Sequence, residues 1–278
     1  MARKIQIIPK GFVNFPEAVV LDDSEKWMKE LYQEVYKKTA EKFGKDSLAY
    51  KTISNEIDTK NVRGSQFFWN TNLGIYLPKN QRVVSLNDLE NINNLDENFF
   101  RGFYIDTPQV VLRTNEDSYF KNRPILENLV KQVKKEGFEF SPENPLVISN
   151  LRLVKNENSN NFYGLNLELG DNSILENDSR FAYSKNGKRI QFGSKEKVVY
   201  NKDNGLSGVY LSSNGGLGAR IDDLAYSNDG GRVVLVSDAE GVTSKILEEY
   251  KLNLENEEQK QIDNIKNNYK KAREILEE

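Results

Sequence analysis

Neither cysteine nor histidine occurs among the 278 residues, so whatever fold this chain adopts is held without disulfides or Cys/His metal sites. The same absence excludes a cysteine nucleophile, an iron–sulfur cluster, a Ser-His-Asp triad and a histidine general base. Carboxylate, lysine, tyrosine and serine chemistry stay open, as does binding. A chain of this length can bury a core as one large domain or two small ones. Its 39 Lys and Arg against 42 Asp and Glu leave a net charge of -3. That balance gives no basic footprint for specific nucleic-acid binding or for an anionic membrane. No stretch has the length of a membrane span, and Met1 to Ile8 lacks the apolar core of a secretory signal, so a soluble, cytoplasmic protein is expected.

Apolar periodicity locates the elements. Asp22-Asp23-Ser24 offers N-caps, with Glu25 near the positive end of the helix dipole, for a helix that runs to Phe43 before Gly44. Trp27, Leu31 and Val35, flanked by Met28 and Tyr32, form its apolar stripe. Between residues 50 and 106, the runs at Gln66–Trp69, Gly74–Leu77 and Arg82–Val84 read as short strands, and Asn91–Asn94 reads as a connection. Gln109–Arg113 is a strand. A helix follows, with Pro124 at its start, Ile125, Leu126, Leu129, Val130 and Val133 on its inner face, and Gly137 at its stop.

Ser141-Pro142-Glu143-Asn144-Pro145 punctuates the chain, and strands dominate after it: 146–148, 151–154, 165–169, 197–200 and 232–236. Phe181–Ser184 and Arg189–Phe192 flank Lys185-Asn186-Gly187-Lys188, where Asn-Gly favours a two-residue hairpin turn. Helices close the chain at Ser244–Tyr250 and over about Glu255–Glu277. In the longer one, Ile262, Ile265, Tyr269, Ala272 and Ile275 or Leu276 make a stripe that either docks on its own domain or supports self-association through residues 255–277. The pattern predicts an α+β chain. An α/β N-terminal region covers 1–144, a mostly antiparallel β domain covers 145–240, and C-terminal helices cover 241–278.

No motif carries a strong catalytic signature. Asp171-Asn172-Ser173-Ile174-Leu175-Glu176 lacks the glycine and the closing glutamate of an EF-hand loop, so Asp171 to Asp178 reads as a polar loop. Gly215-Gly216-Leu217-Gly218 lacks both the Gly-Lys-Ser/Thr ending of a phosphate loop and the third glycine of the dinucleotide fingerprint. No cofactor and no metal are expected.

One segment departs from the rest. Between Lys202 and Glu240 there is no Lys, Glu, Gln, Met or Trp, although Lys and Glu are abundant on either side. Those five are the amino acids that a codon with two free positions and a final C cannot encode, and randomising the adenines of an AAC codon gives such a set. Small or apolar anchors (Leu211, Leu217, Ala219, Leu224, Ala225) alternate with chemically unrelated residues. The segment, closed by Gly231-Arg232-Val233-Val234, resembles the variable region of proteins diversified by retroelements. Its scrambled positions would be Ser212, Asn214, Gly216, Gly218, Arg220, Asp222, Asp223, Tyr226, Asn228 and Gly230, with Ser213, Gly215, Ile221 and Asp229 as additions.

The resemblance implies a C-type-lectin-like scaffold displaying residues 212–230 as a ligand-binding surface, with an unknown protein or other macromolecule as partner and no catalysis. Tyr, Ser, Gly and Asn suit such a face, because they combine contact area with adaptable hydrogen bonding. Tyr226 and Arg220 would be its energetic anchors. Two other readings stay open: a carboxylate- or metal-dependent enzyme centred on Asp222 and Asp223, and an assembly protein that uses the C-terminal helix.

Overall fold

The structure is a computed structural model that describes residues 4–6, 17–21, 25–54, 67–193, 195–226 and 230–237, together with scattered positions between 252 and 273. The chain is α+β. A compact unit spans residues 1–10 and 16–238, and a second unit comprises 11–15 and 239–278.

In the first unit, helices α1 (Lys26–Phe43), α2 (Leu48–Ser54) and α3 (Phe67–Tyr76) precede α4 (Leu86–Leu95) and α5 (Arg123–Lys135). Glu25 occupies the N-cap of α1 and Gly44 ends it at φ 83°, a conformation that glycine adopts at little cost. The buried face is Met28, Tyr32, Val35, Thr39 and Phe43. Trp27, expected on that face, is 39% exposed, so the stripe is centred one residue further on. The proposed caps Asp22 to Ser24 lie outside the described residues.

Two stretches expected as strand and loop are helical instead. Phe67-Phe68-Trp69 through Tyr76 form α3, and Asn91–Asn94 lie within α4. In α3 every residue from Phe67 to Leu73 is buried, which erases the amphipathic signature that separates a helix from a short buried strand. For α4 the start signal was local: Ser85 caps it in a reciprocal capping box with Asp88, an arrangement that satisfies two otherwise orphaned backbone donors. Pro124 and the expected inner face of α5 are in place. Phe138 N donates to Val133 O at 3.2 Å, and Gly137 adopts φ 80°, closing α5 in a left-handed turn.

Strands β1 (Lys4–Gln6), β2 (Glu17–Val20) and β3 (Gln81–Val83) join β13 (Val234–Ser237) in a four-stranded antiparallel sheet of order β1-β2-β13-β3. The run at 232–236 was expected among the C-terminal strands, but β13 pairs with N-terminal partners. A seven-stranded sheet has the order β8-β5-β4-β11-β12-β10-β9. It is built from β4 (Ile105–Leu112), β5 (Leu146–Ser149), β8 (Ile174–Asn177), β9 (Lys188–Phe192), β10 (Lys195–Asn201), β11 (Leu206–Leu211) and β12 (Leu217–Ala219). All its pairings are antiparallel except β10 with β12. Two further strands, β6 (Arg152–Lys155) and β7 (Leu165–Glu168), pair with each other. Since β4 and β5 are neighbours, residues on both sides of the Ser141–Pro145 turn share one sheet.

The expected Asn-Gly hairpin is corrected. Gly187 N does donate to Ser184 O at 3.0 Å in a tight turn, but Phe181 ends a 3₁₀ turn (Ser179–Phe181) and β9 pairs forward with β10 through Gly193. Turn chemistry was legible at Asn186-Gly187. The strand expected before it was replaced by local hydrogen bonding, with the Asp178 side chain accepting from Arg180 N.

Alternation along β4 divides the core. Val110 and Leu112 face one apolar cluster with α1, α3 and α5, while Val111 faces a second with Leu89, Ile92, Phe192 and Leu217. A strand buried on both faces anchors the sheet centre, and the segment after β11 inherits that fixed frame. In the second unit, the described residues between Leu252 and Arg273 are helical and exposed, including Ile262, Ile265 and Tyr269; the expected helix at Ser244–Tyr250 lies outside the described residues. Among the described residues no helix is long and apolar enough to cross a membrane.

Candidate functional site

Of the ten positions expected as one face, seven fall into three groups. Ser212, Asn214 and Gly216 build the tip of the β11–β12 hairpin. Ser212 N donates to Gly216 O at 2.8 Å, Gly215 N to Ser212 O at 2.7 Å, and Gly216 N to Ser212 Oγ at 3.0 Å. Gly215 adopts φ 78°, which the tight turn requires. The tip is tied down where Gly102 N donates to Ser213 O at 3.1 Å. Ser213 and Asn214 remain exposed.

Gly218 is the opposite case. It is buried in β12, in register with Tyr210 of β11 and Tyr200 of β10. A Cβ at Gly218 would lie 2.6 Å from Tyr210 Oη and 2.7 Å from its Cζ. The Tyr210 ring is stacked on Tyr104 with centroids 5.1 Å apart, so it has little freedom to withdraw. Beyond β12, Arg220 is exposed and holds its guanidinium 5.3 Å above the Tyr200 ring.

Asp222 and Asp223, both half-buried, form the third group and join a polar network whose centre is buried and which nothing in the sequence spacing announced. At its centre Asp117, with its side chain wholly buried, accepts from Lys202 Nζ at 2.9 Å. Tyr119 N, Leu206 N and Asn122 Nδ2 donate to the same carboxylate at 2.9, 2.8 and 3.3 Å. Lys202 Nζ also reaches Asp222 Oδ1 at 2.5 Å, and Asn122 Nδ2 donates to Asp222 O at 2.7 Å. Asp223 accepts from Tyr119 Oη at 2.8 Å and from Ala225 N at 2.9 Å. Tyr163 Oη lies 3.0 Å from both Asp223 Oδ1 and Asn122 Oδ1. Burial, then the Asp223 charge, push the Tyr163 phenol far above its ordinary range, so it serves as a neutral donor.

Beside this network, fully buried Arg113 donates to Ser207 Oγ and Ala219 O, each at 2.9 Å. Burial lowers its guanidinium to about 10, which keeps it charged. The segment from Ala219 to Ala225 is therefore pinned to the loop between β4 and α5 by charge-assisted hydrogen bonds. These partners are more than 80 residues apart in sequence, so only folding brings them together.

Tyr226 is 43% exposed and borders a cavity of about 10 Å³ that also touches Tyr104, Asp106, Tyr210 and Asp223. That volume admits one water at most, too little for a substrate. Burial pushes the Asp106 carboxyl well above the usual carboxylate range, offset in part by the Tyr104 hydroxyl. The unfolded chain ionises this group near pH ~4, so unfolding releases a proton and stability falls as pH rises from there toward the native value. Asp106→Asn is expected to flatten that slope and raise the melting temperature at neutral pH in melts run from pH ~4 to ~8. An unchanged slope would place the titration elsewhere. Asn228 and Asp229 lie outside the described residues, and Gly230 O accepts from Tyr104 N at 3.0 Å. Among the described residues no cluster of three acids could hold a metal ion.

At the hairpin tip the geometry opens. A groove of about 700 Å³ runs between the end of α4 and the tip, bordered by Asn93, Arg101, Lys195, Lys197, Ser213 and Asn214, with Glu97 as its one acidic side chain. Lys195 pairs with Glu97. Lys197 Nζ donates to Gly215 O at 2.5 Å and to Asn93 Oδ1 at 3.3 Å, and sits 5.1 Å over the Phe192 ring. Burial and then the neighbouring Lys195 charge lower the Lys197 ammonium. The groove thus carries an excess of positive charge that its own acid does not neutralise. Composition leads to Asn214 and Gly215 but not to Lys195 and Lys197, which come beside the tip because β10 lies next to β12 in the sheet.

No family model, no curated protein and no solved structure matches the chain.

Proposed function

We propose that this chain is a non-enzymatic binding protein whose contact surface is the tip of the β11–β12 hairpin with its adjoining groove, taking an acidic segment of a macromolecular partner. The observation that carries the reading is the groove itself. It joins Ser213 and Asn214, from the compositionally anomalous segment, to Arg101, Lys195 and Lys197 in a space of about 700 Å³, within the size range of ligand sites. An incoming carboxylate would relieve the repulsion between Lys195 and Lys197, which favours an anion over a neutral group.

Within this proposal, retroelement diversification is the source of variation at the exposed positions Ser213, Asn214, Arg220 and Tyr226. Gly218 and Asp223 act as frame. The amino-acid composition of residues 203–239, which lacks the five residues that codons ending in C cannot encode, supports that origin, while Gly231 stands where the family's ending carries phenylalanine. A near-identical adenine-rich template copy beside a reverse-transcriptase gene would establish it, and related strains carrying the segment unchanged while the rest drifts would end it.

The contact surface is tested with a fluorescent poly-glutamate peptide titrated into the full chain, beside a neutral poly-serine control. Binding of the acidic peptide alone is expected, weakening with salt and by at least about tenfold in Lys197→Glu. Equal binding of both peptides, or a Lys197→Glu variant that binds as well as the parent, would sink the proposal.

A further inference from the structure

The centre at Asp117 and Lys202 holds more than an ion pair. An amine and a carboxyl group touch out of solvent: the Lys202 side chain is 7% exposed, that of Asp117 not at all, and Nζ stands 2.9 Å from Asp117 Oδ1. A second carboxylate meets the same nitrogen, with Asp222 Oδ1 at 2.5 Å and its side chain 46% exposed. The two acids are held differently. On Asp117, Leu206 N at 2.8 Å and Asn122 Nδ2 at 3.3 Å both donate to Oδ2, the oxygen away from the lysine. Negative charge would develop on that oxygen if a nucleophile added to the carboxyl carbon, and two fixed donors there would stabilise it. Gly205 packs over the same carboxyl so closely that a Cβ there would overlap it, which leaves no room for water. Asp222 instead keeps access to solvent, as suits a group that accepts a proton and returns it.

We propose that this centre joins Lys202 Nζ to Asp117 Cγ in an intramolecular isopeptide bond, with Asp222 as the catalytic base. Within the ion pair, Nζ passes one proton to Asp117 Oδ1, a transfer that removes two charges from a water-poor site. The freed lone pair adds to Cγ, and the C=O electron pair moves to Oδ2 under the Leu206 and Asn122 donors. Asp222 takes a second proton from the nitrogen and returns it to Oδ1 as the Cγ–Oδ1 bond breaks. One water leaves, Oδ2 regains its double bond, and the nitrogen keeps its third hydrogen as the amide N–H. Atoms and charge balance with no outside reactant.

Contact fixed by the fold supplies the effective concentration that the free groups lack. The reaction is a single turnover and slow beside folding, so fresh protein carries the ion pair and the link accumulates on incubation. It ties the loop before α5 to the residue after β10, 85 positions on. Such a link constrains the unfolded chain as a disulfide would, in a sequence that has no cysteine.

The test is mass spectrometry of the full chain, fresh and after incubation below its melting temperature. The intact mass is expected to fall by one water. A trypsin digest should then yield residues 114–121 joined to 198–220, with cleavage after Lys202 blocked and fragment ions placing the link on Asp117. Asp222→Asn, with circular dichroism confirming its fold, should slow the linking by about a hundredfold or more. Lys202→Arg, which keeps the cation without a usable nucleophile, should give no link, and the parent held unfolded in urea should give none either. Absence of the linked peptide from the incubated parent, a link from Lys202 to residues 221–232, equal linking in urea, or an Asp222→Asn variant that links at the parent's rate would each overturn the proposal.

Discussion

Replacing Lys202 with methionine is expected to lower the unfolding free energy by about 3–5 kcal/mol, the cost typical of removing one partner from a buried pair. The Lys202 side chain is 7% exposed and that of Asp117 not at all, so the variant leaves a carboxylate with no solvent to stabilise it. Two backbone donors and the Asn122 amide remain on Asp117, and they hold the loss within that range. The measurement is urea unfolding of both proteins by circular dichroism, read as a change in midpoint at unchanged slope. In the double variant Lys202→Met/Asp117→Leu part of the loss should return, because an apolar pair removes the uncompensated charge. Full recovery is not expected, since Leu206 N and Tyr119 N lose their acceptor. A Lys202→Met protein within about 0.5 kcal/mol of the parent would mean that water reaches this site. The same variant should speed hydrogen exchange at Leu224 while sparing Leu129, because Lys202 also holds Asp222 and with it the chain leading to Leu224.

How much of this was written in the sequence depends on the range of the signal. Helix α5 was legible from Pro124 to Gly137 because its caps and its apolar face are both local. The alternation in β7 was equally plain, with Leu165 and Leu167 buried and Asn166 and Glu168 half-buried. Helix α3 was not legible: a run buried on all sides looks the same at a period of two as at 3.6. Sheet membership was hidden as well, since β13 chooses β2 and β3 by register across more than 150 residues, and no turn motif encodes that. The candidate site divides along the same line. The anomaly at 203–239 showed in composition and led to the hairpin tip. The Asp117–Lys202 centre and the lysines on β10 could emerge only once distant segments had been laid side by side. Asp222 and Asp223 were singled out by sequence as acids, and folding gives them an anchoring task.

Gly218 is where the binding proposal and the packing make opposite demands, and a single experiment separates them. If every position of the anomalous segment were free to vary, opening codons 212, 214, 216, 218, 220, 222, 223 and 226 together should leave all eight equally diverse among folded molecules. The structure predicts otherwise. Any side chain at Gly218 begins with a Cβ 2.6 Å from Tyr210 Oη, and Tyr210 is itself only 7% exposed. Displacing that ring would also break its stacking on Tyr104. Gly218→Ser is therefore expected to cost about 1–3 kcal/mol as overpacking, and Gly218→Leu more. Changes at Asn214, Arg220 and Tyr226 should stay within about 0.5 kcal/mol, as is usual for exposed positions. A surface-displayed library sorted for protease resistance and then sequenced reads all of these at once. Glycine should dominate at 218 and aspartate at 223, with 214, 220 and 226 close to their input composition. A flat profile at 218 would show that the β11–β12 pairing yields to side chains, and the fixed frame on which the hairpin tip is displayed would have to be abandoned.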